Sequence, residues 1–141
     1  MKYEYRFQVR LHDTDRAGVV FFARLFTHAH DAYEAFMASA GLGLGAMIEA
    51  GLRLPVAHAS ADYLLPLRHG EAVMVMLTIA RLGQTSFTVA HEFRCGAEVR
   101  ARLQTVHVFL DPRSGRPSVL PQDMRARLAP FAAPAPGGKA D

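Results

Sequence analysis

The segment that most restricts the fold of this chain runs from Val19 to Gly41. Leu25, Phe26, Ala29, Ala32, Tyr33, Phe36 and Met37 recur at helical spacing, and Gly41 stands where a C-terminal cap belongs. Ala23, Ala35, Ala38 and Ala40 cover much of the remaining circumference, so this helix is apolar nearly all round and has to be enclosed. The enclosing material follows in the chain. Strands are expected at Leu52 to Leu65, Ala72 to Leu82, Ser86 to Cys95 and Arg100 to Leu110, divided by the turn residues Pro66 through Gly70, Gly83-Gln84 and Gly96-Ala97. Such short joins favour antiparallel neighbours, because a parallel return needs a crossover of about a dozen residues. Before the helix, Tyr3, Tyr5, Phe7, Val9 and Leu11 alternate with Glu4, Arg6, Gln8 and Arg10, the pattern of a half-buried strand. The expected fold class is α+β, an antiparallel β-sheet wrapped around one long central helix.

Smaller expectations complete the layout. Leu42 to Gly51 holds at most one short helix between glycines, Ser118 to Leu120 an edge strand, and Gln122 to Leu128 a last exposed turn or two of helix. Residues 132–141, rich in Ala, Pro and Gly, have nothing to bury and read as a tail on a single domain spanning 1–131.

Composition narrows the function. Half of the 141 residues are hydrophobic against 21% charged, which excludes a disordered chain and leaves little polar surface, so self-association is expected. The net charge of +3 is carried by scattered arginines and suits an anionic ligand; no basic run interleaved with aromatics points to nucleic acid. The single cysteine, Cys95, allows no internal disulfide, and the N-terminus does not open as a signal segment, so a cytoplasmic protein without a membrane span is expected.

Several chemistries lack their parts. There is no Gly-x-Ser-x-Gly elbow. Cys95 and His91 share a predicted strand about 13 Å apart, at ~3.3 Å per residue, too far to act together. His28 and His30 are two apart on a helix and point away from each other, so no metal site is expected. The glycines at 41, 43 and 45 neither follow a strand nor end in Lys-Ser/Thr, and so make no phosphate loop. What remains is His12-Asp13-Thr14-Asp15-Arg16-Ala17-Gly18-Val19-Val20-Phe21-Phe22, two carboxylates and a glycine between a strand and the start of the enclosed helix. Capping that helix is the ordinary use for either aspartate. A helix start also offers unpaired N–H groups that polarise a carbonyl, and a nearby carboxylate can attack an acyl group or activate water. One cap does not need two aspartates.

This block, with His30-Asp31-Ala32-Tyr33-Glu34 after it, resembles the 4-hydroxybenzoyl-CoA thioesterase family of hotdog-fold acyl-CoA thioesterases, whose pattern is Asp-x-Asp-x-x-Gly-Val/Ile-Val. Ala59 through Leu67, Thr85-Ser86-Phe87 and Asp111 through Pro117 extend the likeness along nearly the whole chain. The resemblance implies a hotdog fold, sheets joined edge to edge in a homodimer and often paired into a homotetramer, and hydrolysis of an acyl-CoA without a cofactor. It places the catalytic carboxylate on Asp15, the carbonyl-polarising backbone N–H on Phe22 and the close turn on Gly18, leaving Asp13 structural. Asp15 either attacks the thioester or activates water. Val20, Phe21, His30 and Tyr33 fall on substrate-binding positions. Arg68, Arg81 and Arg100, at predicted strand ends, are placed to meet CoA phosphates. Phe21-Phe22 and the His30 to Glu34 run resemble the aromatic-acyl branch, typified by 1,4-dihydroxy-2-naphthoyl-CoA hydrolase. The Tol-Pal-associated short-chain branch commonly has histidine in the place of Phe22. A non-catalytic acyl-binding hotdog protein and a hotdog dehydratase are the remaining alternatives. His58, His91 and Tyr63 read as ordinary strand side chains, with Tyr63 in the core.

Overall fold

The computed structural model of the chain describes residues 1–132; residues 133–141, which make up the rest of the expected tail, lie outside the described residues. Ala132, counted with that tail, pairs instead with Ile79 as an isolated bridge. Five strands form one antiparallel sheet: β1 (Tyr3–Gln8), β2 (Val56–Tyr63), β3 (Ala72–Leu82), β4 (Ser86–Cys95) and β5 (Glu98–Val108). Their spatial order is β1-β3-β4-β5-β2, so β1 and β2 are the edges. The expected β3 and β4 have the observed bounds, because alternation is strict there and the turns between are tight.

The expectation of one long central helix is corrected. Helix α1 (Arg24–Ser39) is the long one, but α2 (Leu44–Glu49) and α3 (Gln122–Leu128) accompany it. The α3 segment was expected to be exposed; Met124 and Leu128 are instead buried in the core. No strand forms at 118–120; next to it Pro117 makes only an isolated bridge to Leu110. The core joins Leu25, Ala29, Ala32, Tyr33, Phe36 and Met37 of α1 to the inward residues of β3, β4 and β5. Helix α1 stops as its sequence foretells: Gly41 takes φ +78°, its N–H reaches the Ala38 carbonyl, and the Leu42 N–H reaches Met37 at 2.7 Å.

The first strand is shorter than its alternation suggests. β1 ends at Gln8, Val9 is still buried, but Leu11 opens a 3-10 turn (Leu11–Asp13) and is 74% exposed. Asp13 forces this turn by drawing its carboxylate back onto the Arg10 N–H at 2.9 Å. Among the described residues no helix is long and apolar enough to cross a membrane.

Candidate active site

Asp13 is the fixed point of the loop that leads from β1 to α1. It is fully buried, accepts the Arg10 N–H, and takes His28 Nε2 at 2.9 Å and Arg24 Nη2 at 3.5 Å on its other oxygen. Its carbonyl accepts the Phe21 N–H at 2.9 Å. Burial alone would raise its carboxyl pKa, but the Arg10 N–H and the His28 side chain outweigh that and hold it below the usual range. Asp13 is therefore a buried charge with its partners in place.

Two residues on, Asp15 sits at the head of a tight hairpin. Thr14 bridges Val20, the Asp15 N–H donates to the Val19 carbonyl at 2.9 Å, and Gly18 returns its N–H to the Asp15 carbonyl at 3.1 Å. Gly18 has φ +77°, which is why a residue without Cβ is needed there. Asp15 is exposed, and its Oδ1 accepts the Ala17 N–H at 2.9 Å. Its Oδ2 has no hydrogen-bond partner among the described residues.

The hairpin's second arm is held by the Val20 N–H on the Leu67 carbonyl at 2.7 Å, and it delivers Phe21 and Phe22 to the start of α1. Neither aspartate caps this helix, a correction to the ordinary reading: the N-cap is Ala23, with no side-chain cap. Asp13 is turned toward Arg10 and Asp15 toward Ala17, so the helix start remains open. The Phe22 N–H has no acceptor among the described residues. A free N–H at the positive end of a helix is a donor ready for a carbonyl oxygen.

Tyr63, expected in the core, is 46% exposed at the end of β2, where its hydroxyl donates to the Phe22 carbonyl at 2.8 Å and its ring meets that of Phe22 edge-on. Phe22, 60% exposed, and Val20, Leu25, Tyr63, Leu65 and Leu67 line a groove of about 320 Å³ beside the helix start. Phe21 is also exposed, against the Phe22 ring.

His30 and Tyr33 lie farther along α1, where with Glu34, Met47 and Leu54 they line a second cavity of about 440 Å³ that shares no lining residue with the first. Tyr33 is buried, its hydroxyl has no hydrogen-bond partner among the described residues, and burial pushes its pKa well above the usual value. Of the other α1 phenylalanines, Phe36 is fully buried and Phe26 half-buried.

The three arginines differ. Arg100 donates to both oxygens of Glu71, at 3.0 and 2.8 Å, and to the Pro66 carbonyl at 2.6 Å, clamping the 64–71 loop that carries Leu67 against the hairpin. Its guanidinium is engaged within the protein, and the pair holds the Glu71 carboxyl low. Arg68 is exposed, and its backbone bridges Val19 next to the hairpin. Arg81 is exposed at an irregularity in β3. Among the described residues no three His, Cys, Asp or Glu converge as a metal site.

Residues 9–128 match the model of the thioesterase-like superfamily. The chain belongs to that superfamily. It is 34% identical over 126 residues to the 1,4-dihydroxy-2-naphthoyl-CoA hydrolase of Synechococcus elongatus, covering 86% of this chain and 93% of that protein. The crystal structure of a 1,4-dihydroxy-2-naphthoyl-CoA thioesterase from Synechocystis matches with a TM-score of 0.85 and 34% identity, over 92% of this chain and 96% of that one. Dynemicin thioesterase, 22% identical, matches with a TM-score of 0.87 over 96% of this chain and 100% of its own, a likeness of fold. The sheet and helices of this thioesterase-like chain thus have the hotdog architecture of its neighbours. The features that periodicity did not reveal are His28 and Tyr63: each meets its partner only through contacts far apart in the chain.

Proposed function

We propose that this chain hydrolyses the thioester of an aromatic acyl-CoA, of the 1,4-dihydroxy-2-naphthoyl-CoA type, to the free acid and CoA. The observation that carries this reading is the pairing of an exposed carboxylate, Asp15, with the unoccupied N–H of Phe22, both borne by a loop anchored on Asp13. The thioester oxygen sits at the Phe22 N–H, where negative charge develops in the transition state. Asp15 either attacks the carbonyl carbon, expelling CoA thiolate and leaving a mixed anhydride that water cleaves, or takes a proton from the water that attacks. Acyl-CoA and water are the only reactants, and no cofactor takes part.

The names of the 34%-identical relatives support the aromatic acyl group, as do Phe21, Phe22 and Tyr63 around the groove. Arg68, exposed beside the hairpin, suits a CoA phosphate better than Arg100, whose charge is already answered. The chain works as a homodimer, pairs of which form a tetramer. Support comes from β2, which among the described residues pairs only with β5 and presents Val56, Tyr63 and, just beyond it, Leu64 and Leu65 to solvent. A second β2 along that edge would cover them and close the groove. A free, half-buried Cys95 suits a cytoplasmic setting.

The test is thiol release from a panel of short aliphatic, long aliphatic, benzoyl, hydroxybenzoyl and hydroxynaphthoyl CoA esters, with wild type beside Asp15→Asn. Turnover of the aromatic esters that disappears in Asp15→Asn supports the reading. Absence of thiol release from every ester, or an active Asp15→Asn, refutes it.

A further inference from the structure

Asp13 joins both halves of the candidate site: its backbone holds Phe21, next to the oxyanion donor, and it lies two residues before Asp15. What secures Asp13 to the helix is His28, the second-turn residue of α1, whose Nε2 lies 2.9 Å from Oδ1. The direction of that hydrogen bond is determined. The Asp13 carboxyl is held below the usual range, and a carboxylate only accepts, so His28 donates to it from Nε2. The imidazole has no other polar engagement: Nδ1 is buried without a partner among the described residues, and one ring face lies parallel to Phe7 at 3.9 Å. Arg24 is a weaker second contact at 3.5 Å, and His12, largely exposed, approaches no closer than 3.7 Å. A histidine that gives up one ring nitrogen to burial and points the other at a single carboxylate is aimed.

We propose that His28 is a positioning residue for thioester hydrolysis: through the Nε2–H bond to Asp13 it locks the Arg10 to Phe22 loop onto α1, so that Asp15 and the Phe22 N–H keep their mutual distance. The inference rests on the reading of Asp15 and Phe22 given above. His28 touches no reacting atom. Its effect is geometric, and a small misplacement of reacting groups is costly to the chemical step while leaving substrate affinity largely intact.

The experiment compares wild type, His28→Phe and His28→Gln by steady-state thiol release from the best ester of the panel, with thermal unfolding measured in parallel. His28→Phe keeps a ring on Phe7 and removes the donor; His28→Gln carries an N–H donor of similar reach. Expected is a fall in kcat of roughly 10- to 100-fold for His28→Phe with KM within about threefold, and recovery to within about fivefold of wild type for His28→Gln. His28→Phe with wild-type kcat, whatever its melting temperature, overturns the proposal, because a purely structural role lowers stability alone. A rise in KM with kcat unchanged overturns it too, as does an equal loss of kcat in both variants. Should His28→Phe fail to fold, His28→Met carries the same comparison. Asp15→Asn in the same assay separates the two levels: if it stays active the functional reading itself has failed, and if it is inactive while His28→Phe is not, only the role of His28 has.

Discussion

Two groups of buried polar side chains lie under the same sheet and have opposite electrostatics. At the start of α1, Asp13 keeps its charge because His28, Arg24 and the Arg10 N–H surround it. In the middle of the core, His91 and His107 lose theirs. Both are buried, and desolvation pushes each pKa down to about 4. Backbone groups of Leu103 and Ala29 lean on the His91 ring, but neither His91 nitrogen reaches hydrogen-bond geometry with a partner among the described residues. His107 keeps Thr105 Oγ1 at 2.9 Å and is stacked on Tyr33 and Phe87. Burial by itself does not decide whether a group is charged; the partners that arrive with it do. The group with charged partners adjoins the candidate site; the core pair has only the neutral Thr105 hydroxyl, on His107.

The largest effect expected from the first group is on chemistry. Asp15→Asn should lower kcat about 10²- to 10⁴-fold, the range of a lost acid–base group, with the melting temperature unchanged, since the exposed side chain bonds only the Ala17 N–H. A drop in stability of the same variant would mean that Asp15 belongs with Asp13 as a structural carboxylate.

Next comes Asp13→Ala. It leaves His28 and the Arg10 N–H buried without their acceptor, and denaturant unfolding should show a loss of about 3 to 5 kcal/mol. A loss below about 1 kcal/mol would erase the contrast between the two groups.

Acid distinguishes them further. A histidine whose folded pKa lies near 4 against 6.5 in the open chain refuses protons that the unfolded state takes up. Its share of stability is therefore complete above pH 6.5 and is lost as pH falls toward 4, at most about 3 kcal/mol each and less than additive for two neighbours. Asp13, depressed from 3.8, gives up its share only below that pH. Unfolding free energy followed from pH 7.5 down to about pH 2 should thus decline in two stages, histidines first and Asp13 below pH 3.8; a flat profile down to pH 4 would show that the core histidines are hydrated.

The smallest effect is expected from His91→Leu. With no hydrogen bond to lose, it should change stability at pH 7.5 by no more than about 1 kcal/mol while shallowing the first acid stage. A large loss at pH 7.5 would reveal a partner for His91 after all.

Much of this layout was legible in the residues, and what was not legible has one cause. Gly41, the α1 period and the bounds of β3 and β4 follow from neighbours in the chain. Leu11 kept its place in the alternation on paper but lost it in space, because Asp13 folds back on Arg10 and turns the backbone. Arg100 carries the charge a phosphate would want, yet Glu71, 29 residues away, already holds it. Tyr63 looks like core by pattern, but β2 is an edge, and its hydroxyl finds the Phe22 carbonyl 41 residues away.

By itself the sequence determined the long helix, the main strands and their antiparallel joins, and it singled out the segment from His12 to Phe22 as the candidate for chemistry, since periodicity, turn residues and spacing are properties of adjacent positions. Only the tertiary structure decided that Asp13 meets His28, that α1 starts without a cap, and that β2 is left at the edge. Those outcomes depend on which distant groups compete for each hydrogen bond, and no local pattern records that competition.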